Sequence, residues 1–415
     1  MTIAEGSSSR VVYKAYSDGI IVANTLPTSS VSPAATGGTI LRRTTCNLNL
    51  TKDTYESQEN RSDQQVGDFR HGVKRVTGSV NGEWSPGTYW DFFQASLRGT
   101  DAEEVSADQS DLTSVTASNS GSTFVFAGGN PHTLGFRVGD IIRFTDLSDA
   151  DNNATNFLIT AMGGTSTRTL TVYPAPDDMS ADSAFSVTTV GHSLYMPSSG
   201  FTSSKFAIER YNSDIDVARL FTECRAGGFN FNIPATGLAT VEFPFMGRDM
   251  EVTSAGSAPF FASPSAATTS DIFAASGGVL LVGGTRVGVV TGLTINATRN
   301  LSSPAVVGQN FVPEIFLGPL AITGQVTALF EDVTMINYFK NETEVSILSF
   351  LTTTSADDSP CASVFLPRVK FGGADVDDNR AAEQTITLPF TALKYATAGS
   401  GIEATMIRLT DSAAA

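Results

Sequence analysis

Two blocks of this sequence occur twice, and they keep their order. Val76-Thr-Gly-Ser-Val-Asn-Gly-Glu-Trp84 and the aromatic segment Thr88-Tyr-Trp-Asp-Phe-Phe93 return as Ile322-Thr-Gly-Gln-Val-Thr-Ala-Leu-Phe330 and Thr334-Met-Ile-Asn-Tyr-Phe339, an offset of 246. Thr240-Val-Glu-Phe-Pro-Phe245 returns as Thr385-Ile-Thr-Leu-Pro-Phe390, an offset of 145. Repeated strand-like blocks in a fixed order predict a tandem duplication of one β unit. The unequal offsets require about a hundred additional residues between the blocks of the first copy. Two copies of one unit in a chain build quasi-symmetry, which favours an assembly protein over an enzyme.

At 415 residues the chain exceeds one hydrophobic core, and two repeats plus an insert fit that length. Charged residues are only 16% while 27 Phe supply apolar bulk, the balance of a β-rich structural protein with much intersubunit surface. A net charge of −16 argues against a protein that grips phosphates. It also suits a wall past which nucleic acid must slide. Cys46, Cys224 and Cys361 are too scattered for a disulfide framework or a metal site, so free thiols are expected. The first ten residues lack a basic region leading into an apolar stretch, and no apolar run is long enough to span a bilayer. Neither a cleavable signal nor membrane insertion is expected.

The expected fold class is mainly β: two tandem β-sandwich units, each with a short flanking helix, plus a small inserted all-β domain. The first unit takes residues 1–108 and 192–270, the insert 109–191, the second unit 271–415. Within the insert, short alternating runs at Thr123–Phe126, Ile141–Phe144, Phe157–Thr160 and Thr169–Tyr173 are separated by Gly, Asn and Asp turns. Tyr89, Phe92, Phe93 and Leu97 fall at helical spacing. In Gly228–Pro234, Phe229, Phe231 and Ile233 alternate with Asn230 and Asn232, predicting a strand with one buried and one wet face. The stretch Thr51–His71 is polar and charged without hydrophobic period, an exposed loop or hairpin arm, and Arg299–Pro313 is its counterpart.

Chemistry is sparse. His71, His132 and His192 are far apart and sit in no catalytic motif. The acidic clusters at Asp149–Asn153 and Asp375–Asn379 fail the calcium-loop pattern, with Ala154 and Thr160, or Arg380 and Ile386, where Gly and Glu are required. No phosphate loop or dinucleotide fingerprint follows a strand, so no cofactor, metal or catalytic residue is assigned. The basic group Arg70, His71, Lys74 and Arg75 lies among acidic neighbours and reads as intersubunit salt bridging rather than a DNA patch. Trp84 and Trp90 match Phe330 and Ile336 in the second copy, which makes packing a better account than sugar stacking.

Leu41-Arg-Arg-Thr44, Ser62-Asp-Gln-Gln65, Asp68-Phe-Arg-His-Gly72, Gly78–Glu83 and Ser85-Pro-Gly-Thr-Tyr-Trp-Asp-Phe-Phe93 resemble the tail tube (major tail) proteins of phages with long non-contractile tails. So do Phe221-Thr-Glu-Cys-Arg225, Ile233-Pro234 and Gly237–Val241. The resemblance covers roughly 10–100 and 195–250; the insert departs from it. It implies two packed sheets with a flanking helix per unit, one sheet lining a lumen, and rings of six units stacked into a tube. Three chains would then form each pseudo-hexameric ring. It further implies tape measure, tail terminator and distal tail proteins as partners, and passage of DNA without specific binding. On this reading Asp53, Glu56, Glu59, Arg61, Asp63, Asp68 and Arg70 are candidates for ring stacking. Glu83, Asn230, Asn232, Glu242 and Gln325 are candidates for the lumen. Another virion component, a baseplate ring or capsid decoration protein, would share the β composition; a carbohydrate-binding or glycosidase module is the remaining alternative.

Overall fold

The structure, a computed structural model, describes the chain apart from residues 1–3, 18–37, 60–61, 63–64, 103, 164–167, 257, 262, 289, 378–382, 396–400 and 414–415. The fold is mainly β, built from antiparallel sheets. Among the described residues, a front sheet runs through both halves of the chain, its main strands being β1 (Asn49–Glu56), β2 (Phe69–Glu83), β3 (Gly228–Pro234), β4 (Thr240–Gly247), β5 (Val290–Ser302), β6 (Phe316–Leu329), β7 (Asp375–Val376) and β8 (Thr385–Ala392), with the short Thr45–Cys46 pairing on β2 beside β1. Their spatial order is β1-β2-β4-β3-β5-β6-β8-β7. The halves are therefore joined edge to edge by the β3·β5 pair, with Asn230 opposite Asn296 and Phe231 opposite Ile295.

The repeated blocks hold the same register. Glu83 faces Thr240 and Gly78 faces Phe245 in β2·β4, as Leu329 faces Thr385 and Gly324 faces Phe390 in β6·β8. Asn230 opposite Glu242 in β3·β4 corresponds to Asp375 opposite Thr387 in β7·β8. Even an irregularity recurs: the β1·β2 register slips between Lys52 and Thr54, and β5·β6 slips between Arg299 and Leu301. A bulge bends and re-aims its strand, so each hairpin leaves the sheet as an arm at the same place.

A second layer backs each half. Behind the first lie Ser9–Ser17, Ser204–Asn212, Val217–Ala226 and Asp249–Ser254; behind the second, Gly278–Val282, Val345–Thr352, Cys361–Phe371 and Arg408–Asp411. The helix α1 (Trp90–Leu97) is buried on Trp90, Phe92, Phe93 and Leu97, and Arg98 in the left-handed region (φ 56) ends it. Phe92 meets Phe206 of the back layer at 5.0 Å and Phe245 of the front at 5.2 Å, and Trp84 meets Phe231 at 4.5 Å. Each such ring, fully buried, contributes about 2 kcal/mol. The matching helix α2 (Thr334–Lys340) has no fully buried residue.

Residues 106–189 form a separate eight-stranded antiparallel sheet that includes all four short runs expected there. Its core does not close on itself. Phe124, Phe144 and Phe157 belong to one cluster with Leu281, Leu348, Phe350 and Phe365 on the outer face of the second half's back layer. Arg408 Nη2 meets Asp140 Oδ1 at 2.6 Å across this contact, both side chains buried. The flanking strands Asp101–Ala102 and His192–Tyr195 extend that back layer beyond Arg408–Asp411. So the insert interrupts the first half in sequence and is seated on the second half in space. Part of the polar stretch 51–71 is strand: Thr51–Glu56 pairs with Phe69–Arg75. Its two wet faces hide the alternation that a half-buried strand would display.

Candidate assembly interfaces and channel face

One face of the front sheet packs on the core and the other is polar. Along one row of the polar face Asn81, Glu242, Asn230, Asn296, Thr323 and Thr391 lie directly opposite one another, crossing from the first half into the second. A neighbouring row runs Glu83, Thr240, Asn232, Thr294, Gln325 and Pro389. The structure thus brings Glu83, Asn230, Asn232, Glu242 and Gln325 onto one face. Arg75 lies toward the arm and is tied to Asp53 at 2.6 Å.

The strands at the ends of this sheet have one bonded edge each. β1 pairs only with β2, and β7 only with β8, among the described residues. An unpaired strand edge is a template for adding another strand.

The two arms differ in what they touch. At the tip of the second, Glu314 Oε1 meets Arg225 Nη2 at 3.0 Å and its Oε2 meets Lys205 Nζ at 3.3 Å. Lys205 and Arg248 both reach Glu223, at 3.5 and 3.1 Å, with all three side chains nearly fully buried. Removing one member of such a buried network costs about 3–5 kcal/mol, because a charge is left uncompensated. The Phe311 ring lies 4.5 Å under the Arg248 guanidinium. Val312 and Ile315 are buried against Val73, and the Lys74 N–H donates to the Asn310 carbonyl at 3.0 Å. At the base, Arg299 donates to the Ser96 carbonyl in the last turn of α1 at 2.8 Å. The second arm is therefore clamped onto the first half of its own chain.

The first arm differs in exposure among its described residues. Glu56, Glu59 and Asp68 are exposed, and so are Tyr55, Val66 (67%) and Phe69 (50%). Asp68 binds Arg70 at 2.8 Å, and that hydrogen bond holds the Asp68 carboxyl below the usual carboxylate range. Arg61 and Asp63 lie outside the described residues. The Glu314 clamp was not legible in the sequence, because its partners sit about a hundred residues upstream; Lys205 and Glu223 inside apolar strands were the signal.

No group of three or more His, Cys, Asp or Glu that could hold a metal occurs among the described residues. Asp149 accepts from the Asp151 N–H, a turn contact, while Asp378 and Asn379 of the second acidic cluster lie outside the described residues. The three cysteines are free and buried, and burial pushes the Cys361 thiol up to about 12. No helix among the described residues is long and apolar enough to cross a membrane.

A front sheet that runs through both halves of the chain and, among the described residues, keeps an unpaired edge at each end defines a β protein suited to polymerisation. The phage tail tube protein family matches residues 6–392, nearly the whole chain, and the chain belongs to that family. It is a structural component of a phage tail. No curated protein matches it.

Proposed function

We propose that the chain is a tandem pair of tube-forming units, 1–108 with 192–270 and 271–415, and that three chains close into a pseudo-hexameric ring. Such rings stack into the tail tube of a long, non-contractile tail, through which DNA leaves the particle. The β3·β5 junction carries this reading: the chain contains one unit-to-unit joint of the kind a ring repeats, and repeating it sets β7 of one chain beside β1 of the next. The shared registers and the shared bulge support descent of the two halves from one unit.

The polar face would line the channel, presenting amides, hydroxyls and a few carboxylates, Glu83, Glu242 and Asp375 among them, to passing phosphate. The insert, seated behind the back layer and hence opposite the polar face, would decorate the outside three times per ring. Glu56 and Glu59, with Arg61 and Asp63, are candidates for contact with the ring above. The tape measure protein would occupy the lumen before ejection, and terminator and distal tail proteins would cap the ends. Electron microscopy of the purified protein tests the proposal. Tubes with threefold end views are expected; isolated rings, or particles that bind only to capsids, would point to a baseplate or decoration protein instead.

A further inference from the structure

The clamp of the second arm has an empty counterpart. Counting from the shared bulge, Val66, Asp68 and Phe69 of the first arm correspond to Val312, Glu314 and Ile315 of the second, and Lys52 corresponds to Arg299. In the second arm Val312 and Ile315 are 0% and 3% exposed; their equivalents Val66 and Phe69 are 67% and 50% exposed. The seat repeats too. Arg225 pairs with Met246 as Lys370 pairs with Thr391, so Lys370 stands where Arg225 receives Glu314. Phe206 opposite Cys224 and Val345 opposite Val369, each followed by a register slip, make Glu344 the equivalent of Lys205 and Arg368 the equivalent of Glu223. The ion pair is kept with its signs exchanged: Lys205–Glu223 is buried under the second arm, whereas Arg368–Glu344 at 2.7 Å is about one-third exposed. Lys370 beside it is 41% exposed.

We propose that the first arm docks laterally onto the second half of the neighbouring chain in the same ring, seating Asp68 on Lys370. This rests on the ring proposed above. The charges complement one another. Asp68 faces Lys370 as Glu314 faces Arg225, and Arg70, carried beside Asp68, meets Glu344, whose sign is inverted relative to Lys205. Lys52 reaches the end of α2, where Glu342 is exposed, as Arg299 reaches the end of α1. Val66 and Phe69 lose their exposure against the neighbour, with the exposed Pro319 in the place of Val73. The same junction carries the β7·β1 strand pair, so arm and edge act on one neighbour.

A variant carrying Asp68→Cys and Lys370→Cys, assembled and treated with a short bifunctional maleimide, should give covalent dimers and trimers and nothing larger on a denaturing gel. A ring of three closes its own chain of cross-links. Either single variant should remain monomeric. Products beyond the trimer would place the arm on another ring and overturn the proposal. Absence of cross-links in tubes with threefold end views would overturn it while leaving the ring intact; absence of such tubes in the unmodified protein would remove the ring and this proposal together. Should the cysteine variant fail to assemble, charge exchange decides. Asp68→Lys or Lys370→Glu alone should reduce tube yield at least tenfold, and the two combined should restore it; no rescue overturns the pairing.

Discussion

Asn230 donates through Nδ2 to Glu242 Oε2 at 3.3 Å, across adjacent strands of the polar face. Glu242 is half-buried between Asn81 and Asn230 in a row of otherwise neutral side chains, and Glu83 sits one row away. If this face lines the channel, Glu83→Lys and Glu242→Lys should permit assembly and slow genome ejection. The effect should be largest at low salt, where the Debye length exceeds the roughly 8–10 Å of physiological ionic strength. Ejection kinetics measured against salt provide the check, and rates unchanged at low salt would mean that wall charge does not govern passage.

Gly82 has no room for a side chain. A Cβ there would overlap Tyr89 Oη, which donates to the Arg42 carbonyl at 2.9 Å. Gly82→Ala should lower stability by about 1–3 kcal/mol in a thermal or denaturant melt. Combined with Tyr89→Phe, which removes the clashing oxygen, the loss should be smaller than the sum of the single variants. At the equivalent positions of the second half stand Ala328 and Met335, an alanine facing a side chain without a hydroxyl.

Transferring the β3·β5 register to the proposed junction sets Asp375 of one chain opposite Asn49 of the next. Cysteines at both positions should form a disulfide on oxidation of assembled protein and yield covalent trimers. Moving one partner by a single residue, to Ala374, should abolish the bond, since a one-residue slip turns the side chain to the opposite face.

Excising residues 109–191 behind a short linker uncovers Leu281, Leu348, Phe350 and Phe365. The plain deletion should melt about 5–10 °C lower and lose soluble yield. Replacing Leu348, Phe350 and Phe365 with threonine in the deleted chain should restore solubility and tube formation. Failure of the repaired protein to form tubes would make the insert part of the scaffold.

Acid should open the proposed lateral contact. The Asp68 carboxyl is depressed by the Arg70 hydrogen bond, so its ionic contribution is fully present above the ordinary carboxylate range and is lost as pH falls through the depressed value. Glu344, depressed by Arg368, follows the same direction. Light scattering of tubes should fall as pH drops below about 4, and Asp68→Asn tubes should show a flatter profile.

The strand blocks and α1 were legible because their apolar residues repeat at periods of two and 3.6 and because the repeats vouch for each other. The polar face was legible for the same reason: Asn230 and Asn232 alternate with three apolar residues. Three features were not. The strand character of Thr51–Glu56 is masked by exposure on both faces. The seat of the insert depends on Phe350 and Phe365, which lie in runs buried on both sides and so carry no alternation. The Glu314–Arg225 clamp joins residues whose proximity only the tertiary fold creates.

His192–Tyr195 lies between Asp101–Ala102 and Arg408–Asp411 in a single layer. During synthesis the strands around residues 101 and 192 leave the ribosome long before their partner at 408 does. The insert can collapse around its own phenylalanines early, yet the surface that receives it is finished only when Arg408 arrives to meet Asp140. A chain released short of that point would leave Asp140 buried without Arg408 and lack the strand that joins His192–Tyr195 to the second half's back layer. The topology therefore makes the strand Arg408–Asp411 the closing piece for strands of both halves at once, and a sound subunit depends on its arrival.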